Sequence, residues 1–229
     1  MEDSPRHPAD VAAVIPAFRE ETHIADVVRR TLAAVGQVVV VDDGSPDATA
    51  ERARAAGAVV IVHEVNRGKG EAIRSGLRHW YERGAKYVVL LDGDGQHLPE
   101  EIARFVAAAE SSAARLFVGT RMHDLTRMPA TRRFVNRYMS RKISAVCGQA
   151  VPDTQCGFRM VHRDLIPDLL GGGDRFDYET EMLIVASRRG FKIEPVPITT
   201  VYADEVSSIN PVRDTVRFFA LMRRYSKPR

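Results

Sequence analysis

Two carboxylates one residue apart, Asp92 and Asp94, close the hydrophobic run Tyr87–Leu91 in a segment reading Leu90-Leu91-Asp92-Gly93-Asp94-Gly95-Gln96-His97. In extended geometry residues i and i+2 leave the same face of the chain, so both side chains meet one ligand. The intervening glycines let the backbone turn sharply and approach that ligand closely. Paired hard oxygen donors at the end of a strand suit Mg²⁺ or Mn²⁺ bridging a diphosphate. An acidic turn capping a helix at Pro99 would explain one aspartate well and two poorly. The chemistry points to an enzyme acting on a nucleotide-activated substrate.

Four other clusters have side chains suited to binding. Pro16-Ala17-Phe18-Arg19-Glu20 follows a buried-strand run, and Glu20 suits either a ribose or base edge or the first turn of the next helix. Asp42-Asp43-Gly44-Ser45-Pro46-Asp47 follows four valines; turn chemistry accounts for its latter half, with Asp47 as a helix cap. Two adjacent carboxylates at a buried strand's end are costly to desolvate unless hydrogen-bonded, and Asp43 suits a base N–H or a ribose diol. Asn66-Arg67-Gly68-Lys69-Gly70 resembles a phosphate-cradling loop before a helix N-terminus, without the spacing of a P-loop. Arg121, in Gly119-Thr120-Arg121, directly follows a strand, and its forked guanidinium suits a phosphate. Asp153–Arg159 mixes an acid, small polar residues and a glycine, and physics alone assigns it no task. The acids of Phe176–Glu181 open a helix, where they favour its dipole.

Alternating strand-like and helix-like segments must position these groups. Strands are expected at 11–15 (stopped by Pro16), 38–41, 58–62, 87–91 and 116–119, with helices at 22–35, 47–56, 69–82 and about 99–110. Repeated β-α-β units imply a mostly parallel sheet, Rossmann-like, with helices on both faces and ligands beyond the strands' carboxyl ends. The second half is less regular. It reads as a basic helix over about 129–146, a short strand at 157–161, a helix over 178–189 and an extended stretch at 192–203. With no repeat and no linker, one compact α/β domain is expected over residues 11–210, after a frayed tail at 1–10.

The 229 residues, 45% hydrophobic and 28% charged, have the composition of an ordinary soluble globular protein. Two cysteines, Cys147 and Cys156, lack metal-type spacing, and reduced thiols in a cytoplasmic setting are expected. No signal-peptide pattern and no run of 18 apolar residues appears. A net charge of +3 argues weakly for nucleic acid as a partner, and none is expected, but the charge is uneven. Residues 115–142 carry eight Lys/Arg against one acid, and residues 213–229 carry six against one.

Taken in order, Val14–Glu20, the Val-Asp-Asp-Gly-Ser segment, Asn66–Gly70, Asp92–His97, Gly119–Arg121, Asp153–Arg159 and Phe176–Glu181 resemble an inverting family 2 glycosyltransferase of GT-A fold. The nearest branch is similar to dolichyl-phosphate mannose synthase and bacterial polyprenyl-phosphate glycosyltransferases. The resemblance implies that Pro16, Phe18, Glu20 and Asp43 line the nucleoside pocket, beside Lys69 in the phosphate loop. It implies that Asp92, Asp94 and Gln96 hold Mg²⁺ or Mn²⁺ on the sugar nucleotide's diphosphate. It implies that Arg121 and Arg132, with Arg133, hold the acceptor phosphate. Several members carry an Arg followed by Gly-x-Ser-Lys after the last strand, where this chain reads Tyr202–Ile209.

The expected reaction is an in-line displacement at the anomeric carbon of a UDP- or GDP-linked sugar. A polyprenyl phosphate acceptor is already anionic and needs arginines rather than a base. A hydroxyl acceptor, as in polysaccharide synthesis, requires a carboxylate base, and Asp153 is the candidate. A non-catalytic nucleotide-sugar-binding subunit is the reading from another class. Residues 211–229 suggest a basic amphipathic helix suited to peripheral membrane contact on the inner face, or to a small membrane subunit.

Overall fold

In the computed structural model the described residues are 10–121, 130–171 and 178–199, with the side chains of 130–136 left aside. Seven strands form one sheet in the order β3-β2-β1-β4-β6-β5-β7. They are β1 (Val11–Ala17), β2 (Val38–Asp42), β3 (Val59–Val62), β4 (Tyr87–Leu90), β5 (Leu116–Thr120), β6 (Arg159–His162) and β7 (Ile193–Pro197). The helices are α1 (Ile24–Val35), α2 (Thr49–Ala55), α3 (Lys69–Glu82), α4 (Ile102–Ser111), α5 (Ala130–Cys147), α6 (Ile166–Leu170) and α7 (Tyr178–Arg188).

From β1 the chain moves outward through β2 to β3, then returns past β1 to β4, all parallel. Right-handed crossovers in opposite directions place α1 and α2 on one face of the sheet and α3 on the other. The reversal opens a crevice at the carboxyl ends of β1 and β4, where ligands of such sheets bind. β1 and β2 are buried along their whole length, which accounts for their unbroken apolar sequence.

Two expectations are corrected. β1 runs through Pro16 to Ala17 rather than stopping before the proline. Ala13 and Ala17 bond toward β2 while Val14 bonds toward β4. Pro16 shares the alternation of Val14, so its missing N–H falls on the β4 side, beyond the last β1–β4 pair at Val14–Leu90. The strand expected at 157–161 occupies 159–162, and it is antiparallel to both β4 and β5. The start of β6 therefore lies level with the ends of β4 and β5, opposite Leu90 and Val118. This inversion delivers the 153–158 loop to the same edge as Asp92 and Arg121.

Candidate active site

The carboxyl edge gathers most of the residues singled out above. Asp92 follows β4, and its backbone N–H donates to Nδ1 of buried His97 at 3.3 Å. Burial lowers the basicity of His97, in keeping with a neutral ring that accepts this bond. Asp94 folds into an Asx-type turn, its Oδ1 accepting from Gln96 N at 2.9 Å. The backbone of Gln96 thus shapes the turn that carries the two acids.

Lys69, the first residue of α3, joins the cluster from the side. Its Nζ lies 2.7 Å from Asp92 Oδ1 and 2.7 Å from Glu179 Oε1 at the start of α7. Burial disfavours the ammonium, but the two carboxylates outweigh it and raise its affinity for a proton. Burial likewise opposes the Asp92 charge, yet Lys69 holds that carboxyl below its usual range. Asp94 goes the other way: burial and the neighbouring Asp92 charge raise it, partly offset by the Gln96 N–H. Gly157 completes the floor. A Cβ there would stand 2.8 Å from Asp92 Oδ2 and 3.2 Å from Glu179 Oε1, so any larger residue would push on both carboxylates.

Asp92 and Asp94 are chemically suited to a divalent cation. Two hard carboxylates are held on one turn, one of them driven toward its protonated state, and a cation would relieve that repulsion. Among the described residues no three or more His, Cys, Asp or Glu side chains gather into a metal cage. A Mg²⁺ bound through one or two carboxylates plus substrate phosphates needs none.

At the end of β2 both acids serve the local backbone. Asp42 Oδ1 accepts from Ser45 N at 3.2 Å and from the Ser45 hydroxyl. Asp43, 3% exposed, accepts from Arg67 N at 2.9 Å, Gly68 N at 2.7 Å and His63 Nδ1 at 2.7 Å. Asp43 therefore anchors the 66–70 loop, a task the sequence did not disclose. At the end of β1, Phe18 is 40% exposed, with the Arg19 guanidinium 5.2 Å from its ring centre. Glu20 lies beside the acidic turn, its Cγ 3.3 Å from where a Gly93 Cβ would stand.

Arg121 and Asp153 are each other's partners. Nε and Nη2 of Arg121 reach Oδ2 and Oδ1 of Asp153 at 2.8 and 3.0 Å, a bidentate fork. Asp153 is 0% exposed. A general base must reach the proton it abstracts, and here both carboxylate oxygens are taken by the arginine. Asp153 orients the arginine instead. Arg159, absent from the expected site, is also 0% exposed, and it donates to the carbonyls of Cys156 (2.8 Å), Thr154 (2.9 Å) and Glu179. It ties the 153–158 loop to the start of α7, and so sets Gly157 and Glu179 against Asp92. Ser140 of α5 holds the same loop through Thr154 N at 3.2 Å. Arg132 and Arg133 lie in α5, with side chains outside the described set; residues 172–177 and 200–229, including the expected C-terminal helix, lie outside it too.

The family model "Glycosyl transferase family 2" matches residues 12–170. Glycosyltransferase AglJ of Haloferax volcanii is 32% identical over 223 residues, covering 95% of this chain and 72% of that protein. UDP-N-acetylglucosamine–dolichyl-phosphate N-acetylglucosaminyltransferase of Methanococcus voltae is 31% identical over 214 residues, covering 83% of this chain and 85% of that protein. Among solved structures, glucosyl-3-phosphoglycerate synthase of Mycobacterium tuberculosis with UDP superposes with a TM-score of 0.72 at 23% identity. It spans 97% of this chain and 82% of that one, a likeness of fold. With its acidic turn, Lys69 and inverted β6 meeting at one sheet edge, and with the family model spanning most of its length, the chain belongs to glycosyl transferase family 2.

Proposed function

We propose that the protein transfers a sugar from a nucleotide-diphosphate sugar to a polyprenyl phosphate, with inversion at the anomeric carbon. The observation that carries this reading is the carboxyl-edge cluster of Asp92, Asp94, Lys69 and Glu179. In this reading Lys69 meets the donor's diphosphate, while Pro16, Phe18, Glu20 and Asp43 border the nucleoside. Asp92 and Asp94, with Gln96 as a third ligand, would hold Mg²⁺ or Mn²⁺. When bound, the cation supplies Lewis-acid stabilisation to the charge developing on the leaving diphosphate. Arg121, oriented by Asp153, would bind the acceptor phosphate, with Arg132 and Arg133 as the further candidates from the sequence.

The choice between acceptors rests on Asp153. A hydroxyl acceptor needs a carboxylate base, whereas a phosphate monoester is already anionic at neutral pH and needs only alignment. Asp153 is wholly buried and gripped by Arg121, which favours the phosphate. The similarity to a dolichyl-phosphate N-acetylglucosaminyltransferase supports the same choice. Among the described residues no helix is long and apolar enough to cross a membrane, and peripheral membrane contact suits a lipid acceptor.

Incubation with UDP- and GDP-sugars, Mn²⁺ and dolichyl or undecaprenyl phosphate tests the proposal. A glycosylated lipid phosphate with the opposite anomeric configuration to the donor is expected. Donor binding without transfer to any acceptor would instead identify a nucleotide-sugar-binding subunit.

A further inference from the structure

A second hydrogen-bonded array lies behind the phosphate loop. His63, at the end of β3 and 7% exposed, donates from Nδ1 to Asp43 Oδ1 at 2.7 Å, while its Nε2 faces Ser75 Oγ on α3 at 3.0 Å. With Nδ1 donating to the carboxylate, Nε2 is the ring atom that meets the Ser75 hydroxyl. The Asp43 carboxylate then takes the backbone N–H groups of Arg67 and Gly68. Gly68 has a left-handed φ of 93° and immediately precedes Lys69. The array is thus a closed ring: Ser75, His63, Asp43, Gly68, Lys69, and back along α3 to Ser75. An Asp–His–Ser order of this kind serves hydrolases. Here Ser75 sits within a helix, and Asp43 is already occupied by two backbone donors, so nucleophilic chemistry does not follow.

We propose that His63 is a positioning residue for donor binding. Its bond fixes the Asp43 carboxylate, which fixes the Arg67–Gly68 amides and thereby the direction in which Lys69 leaves the loop toward Asp92 and the diphosphate. His63 touches no substrate. Its side chain makes two bonds with separable consequences: the Nδ1 bond sets the loop, and the Nε2 bond only steadies the ring. The inference rests on the nucleotide-donor reading of the same site.

The atoms offer a direct test. The amide nitrogen of asparagine falls near the place of histidine Nδ1, that of glutamine near Nε2. Binding of UDP and of GDP in Mn²⁺ is measured by calorimetry for the full-length wild type, His63→Leu, His63→Asn, His63→Gln and Ser75→Ala, with a melting curve for each. For whichever nucleotide the wild type binds, His63→Leu and His63→Gln weaken affinity by about tenfold or more, the size of a lost charge-assisted bond. His63→Asn restores it to within about threefold, and Ser75→Ala changes it by less than about threefold. The ordering of affinities does not follow the ordering of melting temperatures. Equal affinities across the series would overturn the proposal, as would losses that track melting temperature alone or a failure of His63→Asn to outperform His63→Gln. A wild type that binds neither nucleotide refutes the donor reading itself, a result distinct from any pattern among the variants.

Discussion

Asp94 stands in a position whose electrostatics oppose its own charge. Burial and the Asp92 carboxylate raise its proton affinity above the unfolded value. A carboxyl raised in the fold contributes stability that is full below its ordinary value and lost as pH rises through the raised one. Asp92, lowered beside Lys69, behaves oppositely: its contribution is present above the ordinary value and lost as pH falls. At pH 7 without metal, Asp94→Asn is therefore expected to raise the melting temperature, because it removes a buried like charge. The same substitution should abolish the melting shift that Mn²⁺ gives the wild type and reduce transfer by about 100-fold or more. Full transfer by the variant would sink the metal assignment. The roles at this scale were unevenly legible. The Asp92/Asp94 pair and Lys69 stand beside glycines at element ends, a local signal. Glu179 was not singled out, because an acid in a helix's first turn has a sufficient explanation in the dipole, and its partner Lys69 is 110 residues away. Arg121 and Asp153 were both noticed, but a pairing across 32 residues has no periodic signature.

Elements position those residues through two unusually close fits. α3, which begins with Lys69, crosses β1 at Gly76, where an added Cβ would stand 2.4 Å from Val14 Cγ1 and 2.7 Å from its Cγ2. Both atoms belong to a fully buried β-branched side chain that cannot swing away. Gly76→Ala is expected to cost about 1–3 kcal/mol in urea denaturation, the cost of overpacking, and Val14→Ala in the same chain should recover part of it. Additive losses in the double variant would refute the steric account. The second fit is Arg159 at the start of β6. Removing its guanidinium takes a donor from three carbonyls, two of them at buried bonds, so Arg159→Met should destabilise by about 2–4 kcal/mol. Lysine should rescue little, because an ammonium lacks the planar fork that reaches three separate acceptors. Here sequence reasoning did well where one element carries its own pattern: the 69–82 helix matches α3, and the first five strands lie within two residues of expectation. It placed β6 within two residues but not its direction, because four residues are too few to show orientation or neighbours. An arginine in a strand also reads as exposed, whereas this one is buried by long-range closure of the sheet.

At the scale of the molecule, the proposed donor site is expected to couple nucleotide binding to global stability. Asp92 and Glu179 come from opposite halves of the chain, joined through Lys69, while Arg159 ties the 153–158 loop to α7. A diphosphate meeting Lys69 would add to the contacts that already join α3 to α7, among them the Arg74–Glu181 ion pair at 3.2 Å. Binding to the folded state alone stabilises by RT ln(1 + [L]/Kd), about 2.7 kcal/mol at 100 times Kd. For a chain of 229 residues each kcal/mol corresponds to roughly 2–4 °C, so saturating donor nucleotide should raise the melting temperature by about 5–11 °C. The shift should need Mn²⁺ or Mg²⁺, because without a cation the diphosphate meets the Asp92/Asp94 pair as like charges. It should also shrink sharply in Lys69→Met, which removes the ammonium on which both halves converge. Thermal-shift titration with UDP and GDP, each with Mn²⁺ and with EDTA, measures all three expectations. A nucleotide shift of equal size in EDTA would show that the acidic turn holds no metal on the diphosphate. The transfer assay would then have to explain why two carboxylates face each other at the end of β4.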